Sequence, residues 1–360
     1  MSILSPTQTS ESVKPAISPA PPDNRSYAEL KRLITEKGLL EKQPGFLTYK
    51  ILLTAAMLTV SIIILFRIDN FWVQLLNAIF MGFIFGQIGF IAHDTGHRQG
   101  FHTTKQNDFF GLLHGNLLVG MSYGWWMYKH NQHHAHPNQE DLDPDIAIPV
   151  IAFTEKAALE KRGIPRFIVK YQKYFFIPLL LFEAYSLHVG SVMFLAQKIA
   201  WKYRGVEILL FCLHFVWYLS IIFLALGTWK GLAFILIQQA FFGLYMASVF
   251  APNHKGMLVV RKDEVMDFLR LQVLTARNVK AHPITDFWYG GLNYQVEHHL
   301  FPSMARNQLR EAQVIIRKFC EDLGISYHET GMLNSYVEIL DYLHVVSAPL
   351  RQKKLAVETI

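Results

Sequence analysis

The chain has 360 residues, of which 51% are hydrophobic and 17% are charged, and its formal net charge is +6. Soluble domains usually carry about 25% charged residues, so this composition indicates a protein that lies in a lipid bilayer. In such a protein an excess of positive charge is typical of the cytoplasmic face, and it is weaker evidence for a nucleic-acid partner. The two cysteines, Cys212 and Cys320, lie far apart in the sequence and in unlike settings, so they imply no disulfide framework.

The hydrophobic segments predict an all-α integral membrane protein. Residues 1–25 are rich in Ser, Pro and Thr and predict a disordered tail, and residues 26–45 predict a cytoplasmic amphipathic segment. Each hydrophobic run that follows is long enough to span about 30 Å of hydrocarbon. The predicted transmembrane helices form two hairpins, and they cover residues 46–66, 71–92, 206–226 and 232–251. Beyond a central domain of residues 46–310, residues 311–360 predict a cytoplasmic helix and tail.

Two further apolar stretches, residues 108–127 and 174–197, are predicted not to cross the membrane. If either did, the three clusters of histidines in the sequence, which must share one site, would lie on opposite sides of the membrane. With four spans, every cluster lies on the same side, together with both termini and most of the basic residues near the helix ends. By the positive-inside tendency that side is cytoplasmic. The expected fold is therefore two transmembrane hairpins below a cytoplasmic, histidine-rich cap that binds two metal ions.

Three histidine clusters carry the chemistry. His93 and His97 are four residues apart in HDTGH. HNQHH contains His130, His133 and His134, and QVEHH contains Gln295, His298 and His299, so each cluster has helical i, i+3 or i, i+4 spacing. Such spacing places side chains on one face of a helix. Neutral imidazole is the commonest protein ligand of transition metals, so the clusters predict a metal centre.

The ligand types narrow the choice of metal. The clusters offer too many nitrogens for one ion, since an ion takes about four to six ligands. Without clustered cysteines, an iron–sulfur cluster or a structural zinc site is disfavoured, and the small number of carboxylates disfavours magnesium and calcium. Two iron ions held mainly by nitrogen at a membrane surface fit the activation of dioxygen against an inert hydrocarbon.

The three motifs, in this order and separated by hydrophobic hairpins, resemble the histidine boxes of the membrane fatty-acid desaturase family over residues 45–310. Glutamine at the first position of the third box, followed by HLFP, resembles the front-end subgroup and its acyl-lipid or acyl-CoA relatives. The resemblance implies a di-iron centre that uses dioxygen and two electrons to introduce a cis double bond into a lipid-linked or CoA-linked acyl chain.

The resemblance also assigns roles to individual residues. The implied iron ligands are His93, His97, His130, His133, His134, His298 and His299, with His254 after the last span as an eighth. Asn253 and Gln295 are further candidates for contact with the metal, directly or through water. Because a ligating imidazole normally donates its second nitrogen to an acceptor, the orienting candidates are Asp94, Asn131, Asp141, Asp143, Asp145, Asn293 and Glu297.

Front-end members often carry a fused cytochrome b5 domain with a His-Pro-Gly-Gly motif, which this sequence lacks. We therefore expect electrons from a separate ferredoxin or cytochrome b5 with its reductase. Two alternatives stay open at the level of the sequence. Hydroxylation or ketolation of a lipid needs only small changes on the same scaffold. A histidine-rich metal transporter is less favoured, because it predicts polar residues within the spans, whereas the clusters lie just outside them.

Overall fold

A computed structural model describes residues 24–197 and 201–352. The segment predicted as a disordered tail lies outside the described residues except for positions 24 and 25, and so does the end of the chain from residue 353. The described chain is mostly helical, with one short parallel pair of strands, β1 (Asn278–Val279) and β2 (Glu329–Thr330). Its α-helices are α1 Arg25–Glu36, α2 Pro44–Arg67, α3 Phe71–Gly96, α4 Thr104–Leu112, α5 Tyr123–Ala135, α6 Glu155–Glu160, α7 Gly163–Lys170, α8 Gln172–Leu180, α9 Glu183–Ala196, α10 Arg204–His254, α11 Phe268–Leu274, α12 Pro283–Trp288, α13 Gln295–Leu300, α14 Leu309–Asp322 and α15 Met332–Val346.

Helices α2 and α3 form the first hairpin. Pro44 opens α2, where its missing N–H costs nothing, and the Asn70 side chain accepts a hydrogen bond from the Val73 N–H to cap α3. Between the helices, Ser61 donates to Asn77 at 2.7 Å in a buried contact. Polar groups buried among apolar helices need such partners, so this pair fixes how α2 and α3 pack.

Helix α10 is a second hairpin. Its hydrogen bonding runs from Arg204 to His254, but Gly227 has a φ of 67°, which favours glycine. The Tyr218 hydroxyl donates to Gln238 at 2.6 Å, although a straight helix would separate these residues by about 30 Å. Two antiparallel arms, residues 204–226 and 228–254, therefore meet at Gly227. The sequence predicted a longer connection, through Gly231.

The two hairpins turn at the same end of the molecule. Lys230, just after Gly227, forms an ion pair with Asp69 between α2 and α3 at 2.7 Å. The beginnings of α2 and α10, and the ends of α3 and α10, therefore lie at the opposite end, where the histidines are. Close packing between the hairpins depends on Gly86, since a Cβ there would lie 2.3 Å from the Tyr245 ring.

Within the described residues, α2, α3 and α10 are each long and apolar enough to cross a membrane. Helices α8 and α9, bent by 73° at their junction, pass the same test only as a pair. These helices contain the sequence that was predicted not to cross, residues 174–197. Residues 108–127 form no long helix: α4 continues as a π-helix over Leu113–Val119 and stops at Gly120, where φ is 75°.

The remaining helices form a cap over the histidine end. Leu30 and Ile34 of α1 are fully buried and pack in one cluster with Leu309 and Ile316 of α14. This accounts for the amphipathic pattern that the sequence shows in both segments. Helix α15, which the sequence pattern did not predict, packs Ile339 and Leu343 against Phe176 of α8.

Candidate metal centre

Four helices deliver eight histidines to one buried volume. Helix α3 carries His93 near its end, and His97 directly follows the helix. Helix α5 carries a row of three histidines on one face. His254 is the last residue of α10, and the short helix α13 carries the remaining pair. The eight histidines are His93, His97, His130, His133, His134, His254, His298 and His299. The structure thus brings together every histidine that the sequence analysis named as a ligand.

The imidazoles form two groups with one ring between them. In the first group, one ring nitrogen from each of His93, His97, His130 and His298 lies within 4.8 Å of the others. In the second group, one ring nitrogen from each of His133, His254 and His299 also lies within 4.8 Å of the others. His134 connects them: its Nε2 lies 3.1 Å from Nε2 of His130, and its ring stacks on His299 with centroids 4.2 Å apart.

Acceptors behind the second group set the direction of its imidazoles. Asp143 lies 3.0 Å from Nδ1 of His133, the Thr275 carbonyl lies 2.9 Å from Nδ1 of His254, and the Gln272 amide oxygen lies 2.9 Å from Nδ1 of His299. With Nδ1–H donated outward, each ring presents the Nε2 lone pair to the shared volume.

The first group has a weaker version of this support. Asp94 lies 3.4 Å from Nδ1 of His93, and its other oxygen accepts from Nε of Arg306 at 2.6 Å. Arg306 also donates to the Gly290 carbonyl at 2.6 Å. This buried ion pair connects the first histidine box to the segment that follows the third box.

The predicted orienting residues divide into two sets. Asp94 and Asp143 contact imidazoles, as described above. Asn131 lies on the exposed side of α5, and Asn293 donates to Asp286 at 2.8 Å. Glu297 accepts from Asn278 and Tyr327, each at 2.7 Å, and burial raises its pKa to about 7. Asn293 and Glu297 are therefore bonded to the frame of the cap.

Gln295 and Asn253 lie at the edge of the second group. The Gln295 amide nitrogen is 2.9 Å from Nε2 of His254, and Asn253 donates to the Gln295 amide oxygen at 3.0 Å. Both side chains are buried. The glutamine that replaces the first histidine of the third box thus contacts the histidine that follows the last long helix.

The geometry and protonation of the cluster fit bound transition metal. Burial, then the neighbouring imidazoles, lower the pKa of His130, His134 and His298 well below the usual value, so these rings are neutral and able to bind metal. Neither ring nitrogen of buried His298 has a hydrogen-bond partner among the described residues. Nε2 of His254 lies 3.0 Å from Nε2 of His299, and two nitrogens at right angles on one ion, each at about 2.1 Å, lie about 3.0 Å apart.

A mixed group of His133, Asp143 and Asp145 also has ligand spacing. Asp145, however, pairs with Lys129 at 2.5 Å. Burial opposes ionisation of Asp145, but Lys129 outweighs it and holds the pKa of that carboxyl below its usual range. Asp143 therefore contacts the His133 imidazole, and Asp145 pairs with Lys129. Both carboxylates already have partners, and they support His133 from behind.

Several supporting residues had no signal in the sequence. Arg277 is fully buried and caps the end of α10 by donating to the carbonyls of Pro252 at 2.7 Å and Lys255 at 2.8 Å. It also pairs with Glu338 of α15 at 2.5 Å. Trp126 stacks on His130 with centroids 4.4 Å apart. Gln272, a polar residue among the apolar residues 271–274, is the one supporting residue that the sequence pattern could have indicated.

A buried carboxylate holds the helix of the second histidine box. Glu207 of α10 accepts hydrogen bonds from the Gly124 N–H at 2.8 Å, Trp201 Nε1 at 2.7 Å and the Ser122 hydroxyl at 2.5 Å. Ser122 is also the N-cap of α5. A negative charge at this position stabilises a helix N-terminus, so Glu207 fixes where α5 begins.

We expect Glu207→Ala to lower the melting temperature and the capacity to bind metal strongly, because three buried donors lose their acceptor at about 1–3 kcal/mol each. Glu207→Gln is the matched variant: its oxygen keeps two of the bonds, and the Ser122 hydroxyl can turn to accept the third. Thermal unfolding and metal analysis of both proteins test this. Equal losses in the two variants would contradict the positioning role.

The fold and the centre define a helical protein with long apolar helices and a cluster of histidines whose spacing is compatible with bound metal. The family model for fatty acid desaturases matches residues 70–331. The chain is 30% identical over 92% of its length to an acyl-lipid (9-3)-desaturase of Physcomitrium patens, covering 64% of that relative. It is 28% identical over 91% of its length to a delta(6)-fatty-acid desaturase of Caenorhabditis elegans, covering 76% of it. A delta(5) fatty acid desaturase of the same organism is also 28% identical, with coverage of 92% and 76%.

The chain therefore belongs to the fatty acid desaturase family. The resemblance inferred from the three boxes is confirmed, and the relatives match the front-end-type subgroup, with its acyl-lipid or acyl-CoA members, that the glutamine of the third box suggested. The chain spans slightly less than two thirds of the Physcomitrium patens relative and about three quarters of the two Caenorhabditis elegans relatives.

Proposed function

We propose that this protein is a dioxygen-dependent fatty acyl desaturase that introduces a cis double bond into an acyl chain. The observation that carries the proposal is the convergence of eight imidazoles from four helices, six of them buried, at one end of long apolar helices. Family membership supplies the reaction class, and the relatives' names supply acyl-lipid and fatty-acid substrates.

We assign one iron ion to each histidine group. His93, His97, His130 and His298 would hold the first ion, and His133, His254 and His299 the second. His134 lies between the groups and is assigned to either ion by its contacts with His130 and His299. Two bound iron ions would supply the reductive activation of dioxygen that removal of two hydrogens from adjacent methylenes requires.

The protein's own contribution is to aim the imidazoles before metal binds. Asp143, the Thr275 carbonyl and Gln272 fix three Nε2 atoms, and rings aimed in advance need no reorganisation when metal binds. Trp126 covers His130 on one side and restricts access of water. A dry, fixed site of this kind keeps reactive oxygen chemistry away from solvent.

We place the Gln295 side chain next to the second iron ion, beside His254. The oxygen and nitrogen of an amide are nearly the same size, and their assignment follows from the hydrogen bonds alone. Exchanging them in both Gln295 and Asn253 keeps the bond between the two side chains and turns the Gln295 oxygen toward the point faced by His254 Nε2. In that orientation Gln295 would offer the metal a weak oxygen ligand.

We further propose a multi-pass arrangement in the membrane. Helices α2, α3 and the two arms of α10 would cross the bilayer, with the histidines and both termini on the cytoplasmic side. The substrate would be a lipid-linked or CoA-linked acyl chain, and electrons would come from a ferredoxin or cytochrome b5 with its reductase. The apolar composition of the helices and the common end of the two hairpins support this placement.

Expression in a host with a defined fatty-acid profile tests the proposal. Mass spectrometry of the host lipids should reveal acyl chains that are lighter by two hydrogens, with the double bond at one position. Separate analysis of phospholipid and acyl-CoA fractions during a short labelling pulse identifies the form that reacts. A protein that contains iron but yields hydroxylated or ketolated chains would establish the alternative reaction, and an unchanged profile with a matched electron donor would refute both.

A further inference from the structure

Helix α7 combines exposed apolar side chains with a run of positive charge. Ile164 is 76% exposed and Phe167 is 57% exposed, while Val169 on the other side is buried. From residue 161 to residue 173 the sequence contains no acidic residue. The same stretch contains five basic ones, Lys161, Arg162, Arg166, Lys170 and Lys173. A helix of this composition is typical of the surface of a membrane with anionic lipids.

The cations of α7 have no carboxylate partner in the part of the chain that the structure describes. Arg162 and Arg166 donate to the Leu159 carbonyl, at 3.4 and 3.2 Å, and Lys170 lies over the Tyr171 ring at 5.4 Å. Within residues 24–197 and 201–352, no carboxylate forms an ion pair with any of these three side chains. Three positive charges are therefore available to an anionic partner.

The following helices place α7 relative to the apolar layer. Gln172, at the start of α8, is bonded to Ala152 and to the Leu343 carbonyl in the cap. The junction of α8 and α9 packs against Gly243, where a Cβ would lie 2.8 Å from the Ala184 nitrogen. Gly243 precedes His254 by eleven residues, which is about 16 Å along a helix.

The bent pair returns to the level from which it started. The Leu195 carbonyl, near the end of α9, accepts from Arg204 at the start of α10. Both outer ends of the pair therefore lie at the histidine end of the molecule, and their junction lies deeper among the apolar helices. Along the outside of the pair run exposed large side chains that include Tyr174, Phe182 and Tyr185.

Phe167 joins α7 to this apolar surface. Its ring contacts those of Tyr171, at 5.4 Å between centroids, and Phe175, at 6.0 Å. The exposed apolar surface of α8 and α9 thus continues onto α7, and the cations begin at the same level. This is the order of groups met on crossing from hydrocarbon to headgroups.

We propose that α7 lies in the headgroup layer on the histidine side and that Arg162, Arg166 and Lys170 bind the phosphates of anionic lipids. Guanidinium groups pair with phosphate oxygens through two parallel hydrogen bonds. Each basic residue near an anionic bilayer surface adds to the electrostatic attraction between protein and lipid. The inference rests on the proposed membrane placement, and its test separates the two.

Site-directed spin labelling in reconstituted vesicles provides the test. In a Cys212→Ser background that keeps the buried Cys320, single labels replace Phe167 in α7, Leu236 in α10 and Val314 in α14. Each of these three residues is exposed and apolar. The measurement is the ratio of collisions with oxygen, which dissolves in lipid, to collisions with a water-soluble nickel chelate.

We expect a high ratio at position 236, a low ratio at position 314 and a ratio at position 167 several-fold above that at 314. Replacing part of the phosphatidylcholine by phosphatidylglycerol should raise the ratio at 167, and R162Q/R166Q/K170Q should remove that rise. A low ratio at 167 with a high ratio at 236 overturns the inference alone. Low ratios at both positions overturn the membrane placement itself, and a rise that survives in the triple variant overturns the role of the cations.

Discussion

Replacing His298 by alanine is expected to remove most of the bound iron and nearly all desaturase activity while leaving the protein folded. His298 belongs to the first histidine group, and its ring lies 4.8 Å from those of His93, His97 and His134. Since neither of its ring nitrogens has a hydrogen-bond partner in the described protein, the substitution breaks no hydrogen bond. Loss of a residue that supports a metal ligand typically lowers metal affinity or activity about 10- to 100-fold. We expect a larger loss of activity here, because His298 is itself assigned as a ligand.

The measurement is iron per protein together with product formation in the same preparation. His102→Ala is the matched control, because His102 is exposed in the loop between α3 and α4 and lies apart from both histidine groups. Unchanged iron and product in the His298 variant would contradict the assignment of this residue. Loss of monodisperse, folded protein would call for His298→Gln, which retains more of the side-chain volume.

The histidine cluster itself could be predicted because its spacing is local. Positions three and four apart lie on one face wherever a helix forms, and the hydrophobic runs around the boxes leave little choice other than helix. The turn at residues 67–70 and the break near Gly227 follow from local composition in the same way. Requiring all clusters to share one side then indicated that the hairpins turn at a common end, which is where Lys230 meets Asp69.

Of the support behind the imidazoles, only Asp94 and Asp143, which lie near their histidines in the sequence, could be predicted. The rest depends on contacts between distant segments. Gln272 and Thr275 lie more than 20 residues from the histidines they contact, and Arg306 lies 212 residues from Asp94. Nearness in sequence alone is a poor guide to which side chains support the imidazoles. Asn131 and Glu297 are adjacent to ligands along the chain, but consecutive residues of a helix point about 100° apart, so their side chains leave the cluster.

These distant contacts have a common origin in the cap. Arg277 precedes the third box, yet it caps the helix that ends in His254 and pairs with Glu338 of α15. Tyr327, just before β2, holds Glu297 of α13. The C-terminal segments therefore act on the metal centre through buried polar contacts, which explains why a chain with its histidines on long apolar helices also needs a folded cap.

Asp143 offers the sharpest test of this outer support. Each of its oxygens lies 3.0 Å from Nδ1 of His133, and they also accept from the N–H groups of Asp145 at 2.8 Å and Asn138 at 2.7 Å. In Asp143→Asn an NH2 group replaces one oxygen and faces a backbone donor. We expect iron affinity to fall about 10- to 100-fold, because His133 loses its anionic partner and its fixed ring direction.

Titration of the iron-free protein with ferrous iron measures this effect, and activity at saturating iron should recover more fully in Asp143→Asn than in His298→Ala. Asp141→Asn is the matched control: it makes the same chemical change two residues away, at an exposed position whose φ of 62° asparagine also tolerates. Melting temperatures of the iron-free proteins separate loss of affinity from loss of fold. If Asp143→Asn binds iron as tightly as Asp141→Asn does, the carboxylate does not orient His133 for the metal, and its contact is structural.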